Sequence, residues 1–272
     1  MVDYGLPVLF TLWVWWFSTG AILYLVGLPR RTYGVSLAAA TVLLVAAGYG
    51  LALCAKDTSV SGAYVAFGCA ILIWGWHEIM FLTGLLAGPN RRQAQRGLSG
   101  FARFKEALLA ILFHEIALLI TAGVVVALTW DGPNTVGLWT FMVLWWMRLS
   151  AKLNLYFGVS NIPDEFLVPH LAYLDGYFRR RSMNWFFPLS VGVSTIVTVL
   201  LVVAALAPEA TRFETVSYVL LASLLGLAVL EHWFLILPIP VMDIWKWSLR
   251  SRSAPASESM PAVVRNNRSH GQ

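Results

Sequence analysis

The chain has 272 residues, of which 58% are hydrophobic and only 12% charged, with a formal net charge of +5. Soluble domains are about half apolar and roughly one quarter charged, so this composition excludes an ordinary soluble enzyme, a disordered chain and a nucleic-acid-binding domain. Cys54 and Cys69 sit in no motif and supply neither a disulfide framework nor a zinc site.

A helix needs about 20 apolar residues to cross a bilayer. Seven runs in the chain approach or exceed that length: 5–28, 36–55, 63–87, 104–130, 136–156, 185–206 and 216–238. They are too long and too uniformly apolar for the alternating strands of a membrane β-barrel. The expected fold is all-α, a polytopic membrane helix bundle of about seven transmembrane helices in one domain over 1–250. The first run follows Met1-Val2-Asp3-Tyr4-Gly5, which has no basic n-region, so it reads as a retained helix rather than a cleaved signal. Thirteen Trp, many near the ends of runs, suit the membrane interface. Trp13, Trp15, Trp16, Trp145 and Trp146 read as interfacial or packing aromatics.

With seven crossings, seventeen of the 19 Lys and Arg fall on one side, and only Lys56 and Arg212 on the other. Basic residues accumulate in cytoplasmic loops, which predicts N-terminus out, C-terminus in, and contact with anionic lipid. The segment 157–184 is expected to be a cytoplasmic insert, with Pro163-Asp164-Glu165 starting a short helix. Residues 251–272 are polar and rich in small residues, and read as a disordered cytoplasmic tail.

Three apolar runs carry an adjacent His and Glu: His77-Glu78, His114-Glu115 and Glu231-His232. Ionisable residues inside a membrane are costly and tend to face the bundle interior. Counted from the cytoplasmic ends of their helices, the three histidines lie at a common depth of roughly 15–17 Å, at 1.5 Å rise per residue. Arg148, Lys152 and Asn154 reach the same half from the fifth run, and Glu165 and His170 lie in the insert. Imidazole and carboxylate together suit iron or another divalent metal. A single His also suffices for a tetrapyrrole such as haem or bacteriochlorophyll. A buried polar network, with Glu paired to Arg148 and Lys152, explains the same residues, and so does a proton path. The Glu-x-x-His spacing of di-iron bundles is absent, as is His-Glu-x-x-His. With no outer counter-site and no pair of broken helices, a transporter has little basis.

Several stretches are distinctive: WWFSTGAILYLVGLPRRT at 15–32, WGWHEIMFLTGLLAGPNRR at 74–92, FHEIALL at 113–119, LTWDGPNTVGLWTFMVLWWMRLSAKLN at 128–154 and LYFGVSNIPDEFLVPHLAYLDGYFRRRSMNWFFPLSV at 155–191. In these the chain resembles the PuhE family, photosynthetic complex assembly protein 2 of purple and related phototrophic bacteria, over about residues 10–240. The resemblance takes in His77, Glu78, His114, Glu115, Arg148, Lys152 and Asn154. It implies a multi-pass protein of the bacterial inner (photosynthetic) membrane. Its role would lie in assembling the reaction-centre and light-harvesting complex or in bacteriochlorophyll supply. The implied partners are reaction-centre or light-harvesting subunits or pigment-synthesis enzymes. The rival expectation is a membrane metalloenzyme whose His/Glu cluster modifies a tetrapyrrole or quinone.

Overall fold

The computed structural model describes residues 2–95, 97–162, 168–239 and 241–252. Seven long helices form in chain order: α1 (Val2–Gly27), α2 (Tyr33–Cys54), α3 (Val60–Leu82), α4 (Gly100–Thr129), α5 (Val136–Phe157), α6 (Phe186–Ala205) and α7 (Arg212–Phe234). A single turn, α8 (Lys246–Leu249), follows. The fold is a helical membrane bundle, and no strand forms among the described residues.

Six of these helices are long and apolar enough to cross a membrane, one fewer than the seven expected. The exception is α5, which is as long as α2 but carries Arg148, Ser150, Lys152 and Asn154. It nevertheless runs the height of the bundle. At its start Asn134 donates to Ala55 O and Asp57 O, beside the α2–α3 turn. At its other end Tyr156 O accepts from Arg103, near the start of α4. The polar side chains of α5 are sheltered because α3, α4, α6 and α7 all pack against it.

Helix boundaries follow local chemistry. Ser59 Oγ accepts from Gly62 N at the start of α3. Thr211 and Glu214 form a reciprocal capping box that starts α7 four residues before the expected 216. α3 ends at Leu82 rather than 87, because Thr83 Oγ1 takes the Ile79 carbonyl and Gly84 turns the chain at φ +80. Small residues bring helices close: Ala47 on α2 and Ala63, Ala66 and Ala70 on α3 share one buried cluster. A Cβ at Gly137 of α5 would strike Leu51. α3 and α7 bury about half their residues and form the centre, whereas α6 buries few and presents Val193, Ile196, Leu200 and Val203 outward. That outward face matches lipid.

Two segments beyond the long helices are packed elements. Residues Pro169–Tyr177 form a 3-10 helix whose Leu171, Tyr173, Leu174 and Tyr177 pack with Phe81, Ala87 and Ala110 beneath α3 and α4. After α7 the chain returns to α1. There Trp245 is 2% exposed and donates to Trp16 O, and Trp247 lies against Gly20, where no Cβ fits. The expected short helix at Pro163-Asp164-Glu165, with the candidate Glu165, lies outside the described residues, as do residues 253–272 of the expected tail.

Candidate functional site

Adjacent residues on a helix point about 100° apart, so the members of each His–Glu pair find different partners. On α3, Glu78 Oε2 accepts from Arg148 Nη2 at 2.9 Å, while His77 Nε2 meets Thr121 Oγ1 of α4 at 2.9 Å. On α4, Glu115 Oε1 accepts from Lys152 Nζ at 2.6 Å and its Oε2 from Trp145 Nε1 at 3.4 Å. Lys152 Nζ also lies 5.4 Å from the centre of the Phe81 ring. Arg148 and Lys152 are four residues apart on α5, hence on one face. The two acids of α3 and α4 thus each meet one cation of α5.

His114 is different. It is fully buried, and neither ring nitrogen has a hydrogen-bond partner among the described residues. Phe81 stands 4.5 Å from its ring centre and His77 stands 6.4 Å away. His77 Nδ1, Glu78 Oε1 and Arg148 Nε are also buried without partners. Its backbone is held from outside the helix. His114 N donates to Ala87 O, Asn90 N donates to Leu109 O, and Tyr173 Oη donates to Ala110 O. Gly88 makes this approach possible, because a Cβ there would meet the Leu109 carbonyl. The returning 83–90 segment and the docked 3-10 helix thereby fix the turn of α4 that carries His114.

The remaining candidates serve elsewhere. His232 Nδ1 lies 2.8 Å from Ala228 O, so that nitrogen carries the proton, and Nε2 accepts from Ser150 Oγ at 2.9 Å. Both nitrogens are satisfied, as in a structural histidine. Glu231 sits on the exposed flank of α7 and accepts from Trp15 Nε1 at 2.7 Å. Asn154 belongs to the α5–α6 joint. It donates to Ser150 O and Ser190 Oγ and accepts from Asn184, whose Oδ1 accepts from Phe186 N and Phe187 N to cap α6. His170 Nε2 donates to Leu82 O and closes the end of α3.

Among the described residues no three His, Cys, Asp or Glu gather closely enough to hold a metal ion. Glu78 and Glu115 each have their own cation, and Glu231 bonds to the Trp15 indole. The residues present do not fit a metal centre of three protein ligands. A macrocycle at His114 does not fit either, since Phe81 and His77 close over a ring with no exposed surface.

Thr121, Trp145, Ser150 and Trp15 were not legible as members of this set. A hydroxyl or an indole in an apolar run carries no charge signal, and only the rotation of each helix brings it to a partner.

Comparison with known proteins places these residues in a family. Residues 1–256 match the family described as protein of unknown function (DUF3623), and the chain belongs to it. It is 42% identical over 266 residues to a Rhodobacter capsulatus protein named "Uncharacterized 30.4 kDa protein in puhA 5'region", covering 95% of this chain and 97% of that protein. No solved structure matches.

Proposed function

We propose that this protein is an integral-membrane factor for assembly of the photosynthetic reaction-centre and light-harvesting complex or for bacteriochlorophyll supply. It lies in the bacterial inner membrane with its N-terminus outside and its C-terminus in the cytoplasm. The observation that carries this reading is the 42% identical, nearly full-length relative named for its place in the puhA region, which suggests a photosynthesis gene cluster. The membrane-spanning architecture is compatible with a role beside membrane-embedded pigment complexes.

Within that role the functional centre is the buried layer of His77, Glu78, His114, Glu115, Arg148 and Lys152. His114 supports this assignment. A buried polar group without a partner costs about 1–3 kcal/mol, and an apolar side chain would avoid that cost. An imidazole kept there at a cost to stability serves something other than the fold. The rival reading is a membrane enzyme acting on a tetrapyrrole or quinone, whose substrate would have to meet a layer in which the His114 imidazole has no exposed surface.

The test is deletion of the relative's gene in Rhodobacter capsulatus, with this chain supplied in trans. Near-infrared absorption of the core complex is expected to fall strongly on deletion, to return with this chain, and to leave respiratory growth unchanged. Unaltered absorption in the deletion strain would refute the assembly role. Turnover of a tetrapyrrole or quinone by the purified protein would favour the enzyme.

A further inference from the structure

Where α1, α2 and α3 end or begin on one face of the bundle, a cavity of about 230 Å³ opens. Its walls include Arg30, Tyr33, Gly84, Arg91, His170 and Tyr173, and among the described residues no Asp or Glu lines it. Arg91 is set in place by an Nη2 bond to Gly84 O at 3.0 Å, which leaves its other N–H groups available. His170 is fixed by its bond to Leu82 O. Arg30 makes no side-chain hydrogen bond or ion pair with any described residue. Burial first, then the nearby Arg30 and Arg91, hold the His170 imidazole below its ordinary range, opposed by the Leu82 carbonyl. Two guanidinium groups therefore flank one concave site, with no neutralising carboxylate among the described residues.

We propose that this cavity binds a phosphate-centred anion, held between Arg30 and Arg91. Guanidinium groups pair with phosphate oxygens through charge-assisted, often bidentate hydrogen bonds. The site lies where helices leave the apolar layer, the level of lipid headgroups, and basic pockets between membrane helices suit anionic headgroups. Leu171 and Tyr173 on the wall, with Leu85 at the rim, offer apolar contact to the ester substituent of a phospholipid. A free phosphate satisfies the same guanidinium groups. Gly84, at φ +80, lets the chain turn close under His170, and a Cβ there would stand 2.9 Å from His170 Cδ2. The inference is independent of the photosynthetic role.

The experiment uses the full chain in nanodiscs, with two arms. In the first, nanodiscs hold equal phosphatidylglycerol and phosphatidylcholine, and native mass spectrometry counts the lipid retained on release. In the second, nanodiscs hold phosphatidylcholine alone, and inorganic phosphate is titrated with phosphorus NMR as the readout. The variants are Arg30→Gln and Arg30→Gln/Arg91→Gln. Arg30→Gln decides if the double variant fails to fold, because Arg30 has no hydrogen-bond or ion-pair partner to lose among the described residues. Selective retention of phosphatidylglycerol is expected, reduced by about tenfold or more in Arg30→Gln, the fold-change for one lost charge-assisted hydrogen bond. Binding of inorganic phosphate that is lost in the same variant also supports the site and identifies its ligand as free phosphate. Binding in neither arm, or binding equal in wild type and Arg30→Gln, would overturn the proposal.

Discussion

Lys152→Ala is expected to destabilise the folded protein by about 3–5 kcal/mol, the cost of leaving one partner of a buried ion pair uncompensated. The Lys152 and Glu115 side chains are only 16% and 15% exposed, and their atoms meet at 2.6 Å. The loss is measured as depletion of the protein from isolated membranes. Glu115→Gln/Lys152→Met should restore accumulation, since a buried pair replaced as a whole is often neutral. Arg148→Ala should deplete the protein in the same way, because it leaves Glu78, whose side chain is only 10% exposed, without its cation. Full accumulation of Lys152→Ala would show that Glu115 finds another partner and that the layer is not coupled as the distances indicate.

Trp245→Ala is expected to cost about 3–5 kcal/mol as well, by the cavity that a buried indole leaves. The residue lies beyond the last long helix, where a polar tail begins in the sequence. Yet it packs edge-on to Trp15 with ring centres 5.1 Å apart and donates to Trp16 O. Trp16 Nε1 in turn donates to Ile244 O, so the segment is bonded to α1 in both directions. Truncation after Arg252 should leave accumulation in the membrane nearly unchanged, and truncation before Val241 should abolish it. Equal accumulation of the two truncations would mean that the return segment contributes nothing to the bundle.

The long helices were legible because apolar length is written directly in the chain, α5 less so because Arg148, Ser150, Lys152 and Asn154 interrupt it. Helix rotation is not written there. His77 and Glu78 are neighbours in sequence, yet one meets Thr121 on α4 and the other Arg148 on α5. The pairing of Glu115 with Lys152 was within reach of the sequence, since acids and bases shared one level. The bond of Glu231 to Trp15 was not, because it depends on which side of α7 faces α1. The docking of Leu171, Tyr173 and Tyr177 was hidden for another reason. Their segment is too short and too mixed in polarity to announce a buried face, and its contacts are set by the turn at Gly84 and the close approach of Gly88 to α4.

His114 is the residue on which the functional assignment depends, since its imidazole has no hydrogen-bond partner among the described residues. The direct measurement is His114→Leu, introduced into the deletion strain described above, with membrane accumulation, thermal unfolding and core-complex absorption read on the same preparation. The expected result is a protein that accumulates normally and unfolds at or above the wild-type temperature, because about 1–3 kcal/mol of unpaired burial is relieved. Core-complex absorption should nevertheless remain at the level of the deletion strain. Full absorption with His114→Leu would contradict the assignment, and so would disappearance of the variant from the membrane, which would make the imidazole a structural group.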